Sequence, residues 1–182
     1  MLTAPEHAPG GRPRLAIVVA MTAAGVIGDQ GRLPWDLPAD RRLFRSLTVG
    51  NTVIMGRSTF AGLPGPLPRR NNIVISRTLG QPEGVIVCRS FLAGVALGWR
   101  LGQPLFVIGG VDLYRRALQI ADTLHISWVE GVFAGDRHFP AFDLGAWEPV
   151  GETPYPGFRH VAYRRAAQRP SSRGQSPCGD SP

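Results

Sequence analysis

The chain has no lysine at all: the formal charge of +7 carried by its 182 residues comes from arginine alone. Every cationic side chain is therefore a planar guanidinium suited to forking onto carboxylates and phosphates. Interleaved aromatics and a recognition helix are lacking as well, although Arg164, Arg165, Arg169 and Arg173 cluster toward the C-terminus. Charge by itself is a weak nucleic-acid footprint, so no nucleic-acid partner is expected; the positive field suits small anionic ligands better. Cysteine is scarce. Cys88 lies in an apolar run and Cys178 in a Pro- and Ser-rich stretch, a spacing that offers neither a metal site nor a disulfide framework and fits a reducing cytoplasm.

Long apolar runs are missing too. LAIVVAMTAAG (Leu15 to Gly25) is too short to span a bilayer, and no membrane contact is expected. With Arg12 and Arg14 ahead of it the run mimics a secretory leader, but it leads straight into a loop and helix that hold a carboxylate. A buried strand of a cytoplasmic protein is the preferred reading. The length suffices for one domain with a sizeable core and is too short for two. Residues 1–13 and 166–182 are rich in Pro, Gly and Ser without apolar periodicity, so both read as tails around a domain at 14–165. There is no internal repeat, and a monomer is expected.

What the chain does contain is a series of short Val- and Ile-rich runs at Leu15 to Ala20, Thr52 to Met55, Asn72 to Ile75, Val85 to Val87 and Leu105 to Ile108. They read as buried strands of a mostly parallel sheet. Helical spacing falls between them, at Leu37 to Leu47, a short turn from Ser58, Phe91 to Trp99 and Val111 to Leu118. Thr123 to Val129, Trp147 to Glu152 and Phe158 to Tyr163 follow as strands, the last two close enough to run antiparallel. The expected architecture is a single α/β domain: a central mixed, mostly parallel sheet with an antiparallel C-terminal strand and helices on both faces.

The segment IGDQGRLPWDLPAD (Ile27 to Asp40) carries the chemistry. Strand, loop and helix follow one another, Pro38 suits a first helical turn, and Asp40 falls near the positive end of that helix while facing inward. Two further strand ends run into helix starts. Ile108-Gly109-Gly110 before Val111 and Met55-Gly56-Arg57-Ser58-Thr59 each offer free N–H groups to a phosphate, and Ser76-Arg77 ends a third strand in the same way. Arg57 and Arg77 exceed what a diphosphate needs and suit the extra 2′-phosphate of NADPH. The GxGxxG fingerprint of a Rossmann site is absent.

These motifs, with VIMGRSTF (Val53 to Phe60), LPRRNNIVIS (Leu67 to Ser76), VIGGVDLY (Val107 to Tyr114) and GDRHFP (Gly135 to Pro140), stand in the order and spacing found in dihydrofolate reductases of bacterial type. The resemblance runs from Leu15 to Tyr163. It implies that family's fold and the NADPH-dependent reduction of 7,8-dihydrofolate to tetrahydrofolate, within one-carbon and thymidylate metabolism, with dihydrofolate and antifolates such as trimethoprim as ligands. It implies that Asp40 anchors the pterin, that Ser127, where the family usually has threonine, links Asp40 to the pterin amine, and that Trp35 orders a water beside them. Val18, Val19, Phe44, Leu63, Leu67 and Ile108 would supply backbone acceptors and apolar walls, Arg41 would line the cleft, and Arg70 would fork onto the α-carboxylate of the glutamate tail.

On the cofactor side the resemblance implies Arg57, Ser58, Thr59, Ser76 and Arg77 at the adenosine half, Arg89 beside the adenine, and Gly109, Gly110, Val111, Asp112, Leu113, Tyr114, Arg115 and Arg116 around the pyrophosphate. Ala20 and the loop Val26, Ile27, Gly28, Asp29, Gln30, Gly31 and Arg32 would meet the nicotinamide. Asp40 lies too far from N5 in such proteins to protonate it, so a water admitted by the 25–34 loop is the expected donor, with Gly135-Asp136 resembling the partner that holds this loop shut. Leu33, Arg41 and Gly65 depart from the common pattern. A pyrimidine reductase on the same fold would share the cofactor turns but lacks LPWDLPAD, and a non-catalytic nucleotide or nucleic-acid binder would have no need of Asp40, Trp35, Arg70 and Ser127 together.

Overall fold

In the computed structural model, which describes Gly11 and residues 13–166, the apolar runs become strands of one eight-stranded sheet. In chain order the elements are β1 (Leu15–Thr22), β2 (Val26–Gly28), α1 (Pro38–Thr48), β3 (Thr52–Gly56), α2 (Arg57–Ala61), β4 (Asn71–Ile75), β5 (Ile86–Cys88), α3 (Phe91–Arg100), β6 (Leu105–Val107), α4 (Val111–Ala117), β7 (Thr123–Val129), β8 (Arg137–His138), β9 (Trp147–Tyr155) and β10 (Phe158–Arg165). The sheet order is β5-β4-β3-β6-β1-β7-β10-β9. Pairings from β5 to β7 are parallel, and β10 runs antiparallel to both β7 and β9.

Alternation within continuous apolar runs makes both faces of this sheet hydrophobic. Ile17, Val19, Ile54, Ile73 and Val107 pack with Phe91 and Val95 of α3 and Leu113 and Tyr114 of α4. Ala16, Val53, Met55, Val74 and Phe106 face the other way, toward Leu47 of α1 and Phe60 of α2. The expected helices on both faces are present. Helix α3 approaches the sheet closely because it carries glycine where it touches: a Cβ on Gly98 would lie 2.6 Å from Leu105 Cδ2.

β7 has the expected bounds, Thr123–Val129, and the bounds of the other elements differ from the expectation by no more than three residues. β1 runs on to Thr22, Val85 lies before β5, Leu118 lies beyond α4, and β9 extends across Pro149 and Pro154. Proline is tolerated there because β9 is an edge strand. A separate two-stranded sheet, β2 against β8, has no counterpart in the sequence reading. The expected tails lie outside the described residues except for Gly11, Pro13 and Ala166. Ala166 still belongs to the domain, its N–H bonding the Ala146 carbonyl. Among the described residues no helix is long and apolar enough to cross a membrane.

Candidate active site

The carboxyl ends of parallel strands leave their last residues and the following helix starts facing a crevice, the usual place for a ligand in such sheets. Here β1, β3, β4 and β6 open onto a cleft of about 1840 Å³ bounded by α1 and α4. A single small ligand fills roughly 300–1,000 Å³, so this space accommodates two.

Helix α1 starts at Pro38, has no side-chain cap, and carries Asp40 in its first turn. The buried hydroxyl of Ser127 donates to the Asp40 carboxylate; β7 delivers it, paired in register with Ala20 of β1. Burial raises the Asp40 pKa above the ordinary carboxylate value, while the Ser127 bond and the neighbouring Arg41 pull the other way. Burial prevails. Arg41 itself is exposed at the cleft edge and ion-pairs with Asp36. Trp35 lies under Asp40's end of the cleft with its ring edge-on to Phe133 at 5.4 Å, and its buried Nε1 finds no protein acceptor.

Val18, Phe44, Leu63, Leu67 and Ile108 form apolar walls around this end. Val19 lines it too, but its side chain belongs to the core beneath α3 and α4, leaving only its backbone for a ligand. Arg70 sits over Phe44, 5.9 Å from the ring centroid, with its Nε buried and unpaired. Desolvation lowers its pKa, and so does crowding by Arg45 and Arg69. Its position is fixed by a residue that sequence reasoning missed. Buried Asn72 accepts from Leu67 N at 2.9 Å and donates to the carbonyls of Leu67 at 2.9 Å and Arg70 at 3.0 Å, clamping the loop that carries the guanidinium.

Two turns face each other in the other half. Gly56 N–H donates to the Gly109 carbonyl at 2.9 Å, tying the β3–α2 turn to the β6–α4 turn. Gly109 has φ +136, and a Cβ there would meet Thr59 Oγ1 at 2.8 Å, so glycine is the residue both the turn and its neighbour demand. No side chain caps α2 or α4, which leaves the first N–H groups of both helices for an anion. Arg57, Ser58, Thr59, Ser76, Arg77, Arg89, Gly109, Gly110, Val111, Asp112, Leu113, Tyr114 and Arg116 all line this half. Arg57 also donates to Thr78 Oγ1, and Arg89 is already engaged, donating to the carbonyls of Ser76 and Leu79. The buried Tyr114 hydroxyl donates to the Val18 carbonyl at 3.1 Å, and burial raises its pKa.

Ala20, Ile27, Gly28, Gly31 and Arg32 line the junction between the halves. Four of the expected cofactor residues do not line the cleft. Val26 is core, packed with Trp35, Val129 and Phe158. Asp29 closes a tight turn onto Arg32, Gln30 stands exposed at that turn with φ +46, and Arg115 points outward to an ion pair with Asp112. Gln30 instead holds the loop: its N–H donates to Asp136 Oδ1 at 3.2 Å, beside the β2–β8 pairing. Arg42, Arg45, His125 and His160 also line the cleft and were not anticipated. The two imidazoles stack at 5.5 Å with Nδ1 of His125 3.4 Å from Nε2 of His160, and burial together with His160 pushes the His125 pKa down to about 4. No motif marks these four; only the face of α1 and the strand parity of β7 and β10 could have.

The dihydrofolate reductase family model matches residues 14–165. A type 3 dihydrofolate reductase from Salmonella typhimurium is 37% identical over 143 residues, covering 78% of this chain and 88% of that protein. Its Haemophilus influenzae counterpart is 41% identical over 133 residues, covering 73% and 82%. Among solved structures, Enterococcus faecalis dihydrofolate reductase complexed with NADP(H) and RAB-propyl superposes with a TM-score of 0.77 at 34% identity, covering 85% of this chain and 97% of the other. A half-buried aspartate bridged by a hydroxyl, facing paired phosphate turns across one cleft, thus sits in a chain whose whole described domain matches one family, and the chain belongs to the dihydrofolate reductases.

Proposed function

We propose that this chain reduces 7,8-dihydrofolate to 5,6,7,8-tetrahydrofolate with NADPH, acting as a monomer in the cytoplasm. The observation that carries the reading is Asp40: the ionisable carboxylate of the apolar half of the cleft, bonded by Ser127 and opposite two uncapped helix starts. An acceptor pair of that kind matches the amidine-like edge formed by the pterin N3 and 2-amino group. Arg57 and Arg77, exposed at neighbouring strand ends, fit the 2′-phosphate, and the Gly109-Gly110 turn fits the pyrophosphate. Bound there, NADPH supplies the hydride that passes from its nicotinamide C4 to C6 of dihydrofolate.

The protein's own part is alignment and water control. Asp40 fixes the pterin and polarises it toward accepting a proton, Phe44, Leu63 and Ile108 flank the ring and spacer, and Arg70 takes the tail's α-carboxylate. The unpaired Trp35 Nε1 is placed to hold the water that delivers a proton to N5, admitted when the 25–34 loop parts from Asp136. The test is NADPH consumption with dihydrofolate by the wild type and by Asp40→Asn. Turnover by the wild type and a fall of roughly 10²–10³-fold in the variant at neutral pH are expected; equal rates would remove Asp40 from the mechanism, and no wild-type turnover would remove the reading.

A further inference from the structure

The indole that faces the apolar half of the cleft is braced by a residue that does not itself reach the cleft. Trp35 clusters with Val26 of β2, Val129 at the end of β7 and Phe158 at the start of β10, all anchored in strands. Phe133 meets its ring edge-on at 5.4 Å, with 71° between the planes. This phenylalanine comes from the segment that joins β7 to β8 without helix or strand, where it is half-buried between two exposed neighbours, Val132 and Ala134. It does not line the cleft. Gly131 lets it turn inward: φ there is +98, and a Cβ would lie 3.3 Å from Phe133 Cε2, so the ring folds back over a position that suits glycine.

The contact has a chemical consequence because the Trp35 Nε1–H makes no hydrogen bond within the protein. No polar partner in the protein fixes the direction of that N–H, so packing around the indole sets it, and an edge-to-face aromatic contact is a directional form of packing. Val26, Val129 and Phe158 hold the indole from the sheets, and Phe133 closes the contact from the loop. We infer that Phe133 is a positioning residue for proton delivery: by bracing the edge of the indole it aims Nε1 into the cleft and sets where the water that protonates N5 stands. The inference rests on the dihydrofolate reading of the cleft and deepens it, since it names what keeps Trp35 in place.

Because Phe133 lines no part of the cleft, its replacement should leave both KM values unchanged and act on the hydride step through the supply of the proton. The experiment follows single-turnover NADPH oxidation against pH. It compares the wild type with Phe133→Leu and Phe133→Met, which keep apolar bulk without a ring edge, and with Phe133→Tyr, which keeps the ring. At about pH 8 the leucine and methionine variants should be about tenfold slower, a modest share of what misplacement by an ångström can cost. Their rate should fall off about one pH unit earlier than that of the wild type and converge with it in acid, where protons are plentiful and the placement of one water matters least. Phe133→Tyr should restore the wild-type profile, and Val132→Ser at the exposed neighbour should leave it unchanged. In a Trp35→Phe background Phe133→Leu should shift the profile no further, because its effect passes through the indole. A loss of equal size at every pH, no loss at all, or a shift that persists without Trp35 overturns the positioning role. Absent turnover by the wild type removes instead the reductase reading beneath it.

Discussion

Asp40 is held against its own stability. Burial raises its pKa, and a carboxylate whose folded pKa is raised favours the native state below the ordinary carboxylate range and loses that contribution as pH rises through the folded value. At neutral pH the charge on this group therefore works against folding. Asp40→Asn, which removes the charge and keeps the shape, should raise the melting temperature at pH 7, with the difference narrowing below about pH 4 where both side chains are neutral. A lower melting temperature at pH 7 would show that the Ser127 bond and Arg41 outweigh burial. Ser127 provides the companion measurement. Because its hydroxyl lowers the Asp40 pKa, Ser127→Ala should move the acid limb of the kcat/KM profile to higher pH, and Ser127→Thr should restore it. An unmoved limb in the alanine variant would detach the hydroxyl from the carboxylate. The position of Asp40 was legible in the sequence from a proline-led helix start after an apolar strand and a loop, whereas Ser127 and Arg70 were reached only through the family resemblance. Asn72 was not, since an asparagine in an apolar strand looks like a break until its amide is seen gripping the 67–70 backbone.

At the scale of elements, strands buried on both faces and helices with apolar stripes announced themselves through periodicity, and their bounds shifted by only a few residues. The β2–β8 pair did not, because three residues pairing with two across more than a hundred positions carry no period. That small sheet is nevertheless what fixes the loop beside Asp40. Its tightest point is Gly135, where a Cβ would lie 2.5 Å from the Gly28 carbonyl oxygen and 2.5 Å from Val26 Cγ1. The first of these is backbone and cannot rotate away, so Gly135→Ala must part the two loops. Since only Val26 and Ile27 tie β2 to the core, the variant should lose a few degrees of melting temperature at most while kcat for dihydrofolate falls by about tenfold or more, as expected for displacement of a positioning loop. A wild-type kcat with a large loss of stability would assign β2–β8 to folding alone.

Across the whole molecule, chemistry and closure occupy opposite ends of the strands. The cleft lies at the carboxyl ends of the parallel strands, whereas the chain is locked at their amino ends, where β10 finishes beside the start of β1. There Asp122 Oδ2 accepts the Leu15 N–H at 2.9 Å, and the Arg165 N–H donates to the Asp122 carbonyl at 3.0 Å. The Arg165 side chain adds Nε to Ala121 O at 2.8 Å, Nη2 to Leu118 O at 2.7 Å, and a position 4.3 Å over the Trp147 ring. Its guanidinium thereby satisfies two carbonyls of the connection between α4 and β7 and ties the antiparallel edge to the parallel body. From sequence, this residue was one of a basic cluster without a stated role; a side chain that spans two elements far apart in the chain leaves no local pattern. Arg165→Met retains the aliphatic stem and removes the charge-assisted bonds, at a cost of about 2 kcal/mol, equivalent to a fall of roughly 4–8 °C in melting temperature. Because the lesion lies at the far end of the sheet, kcat and KM of the folded fraction should match the wild type at 25 °C. An unchanged melting temperature would mean that the final strand is held by its ladders to β7 and β9 alone, and a changed KM would mean that the two ends of the sheet communicate.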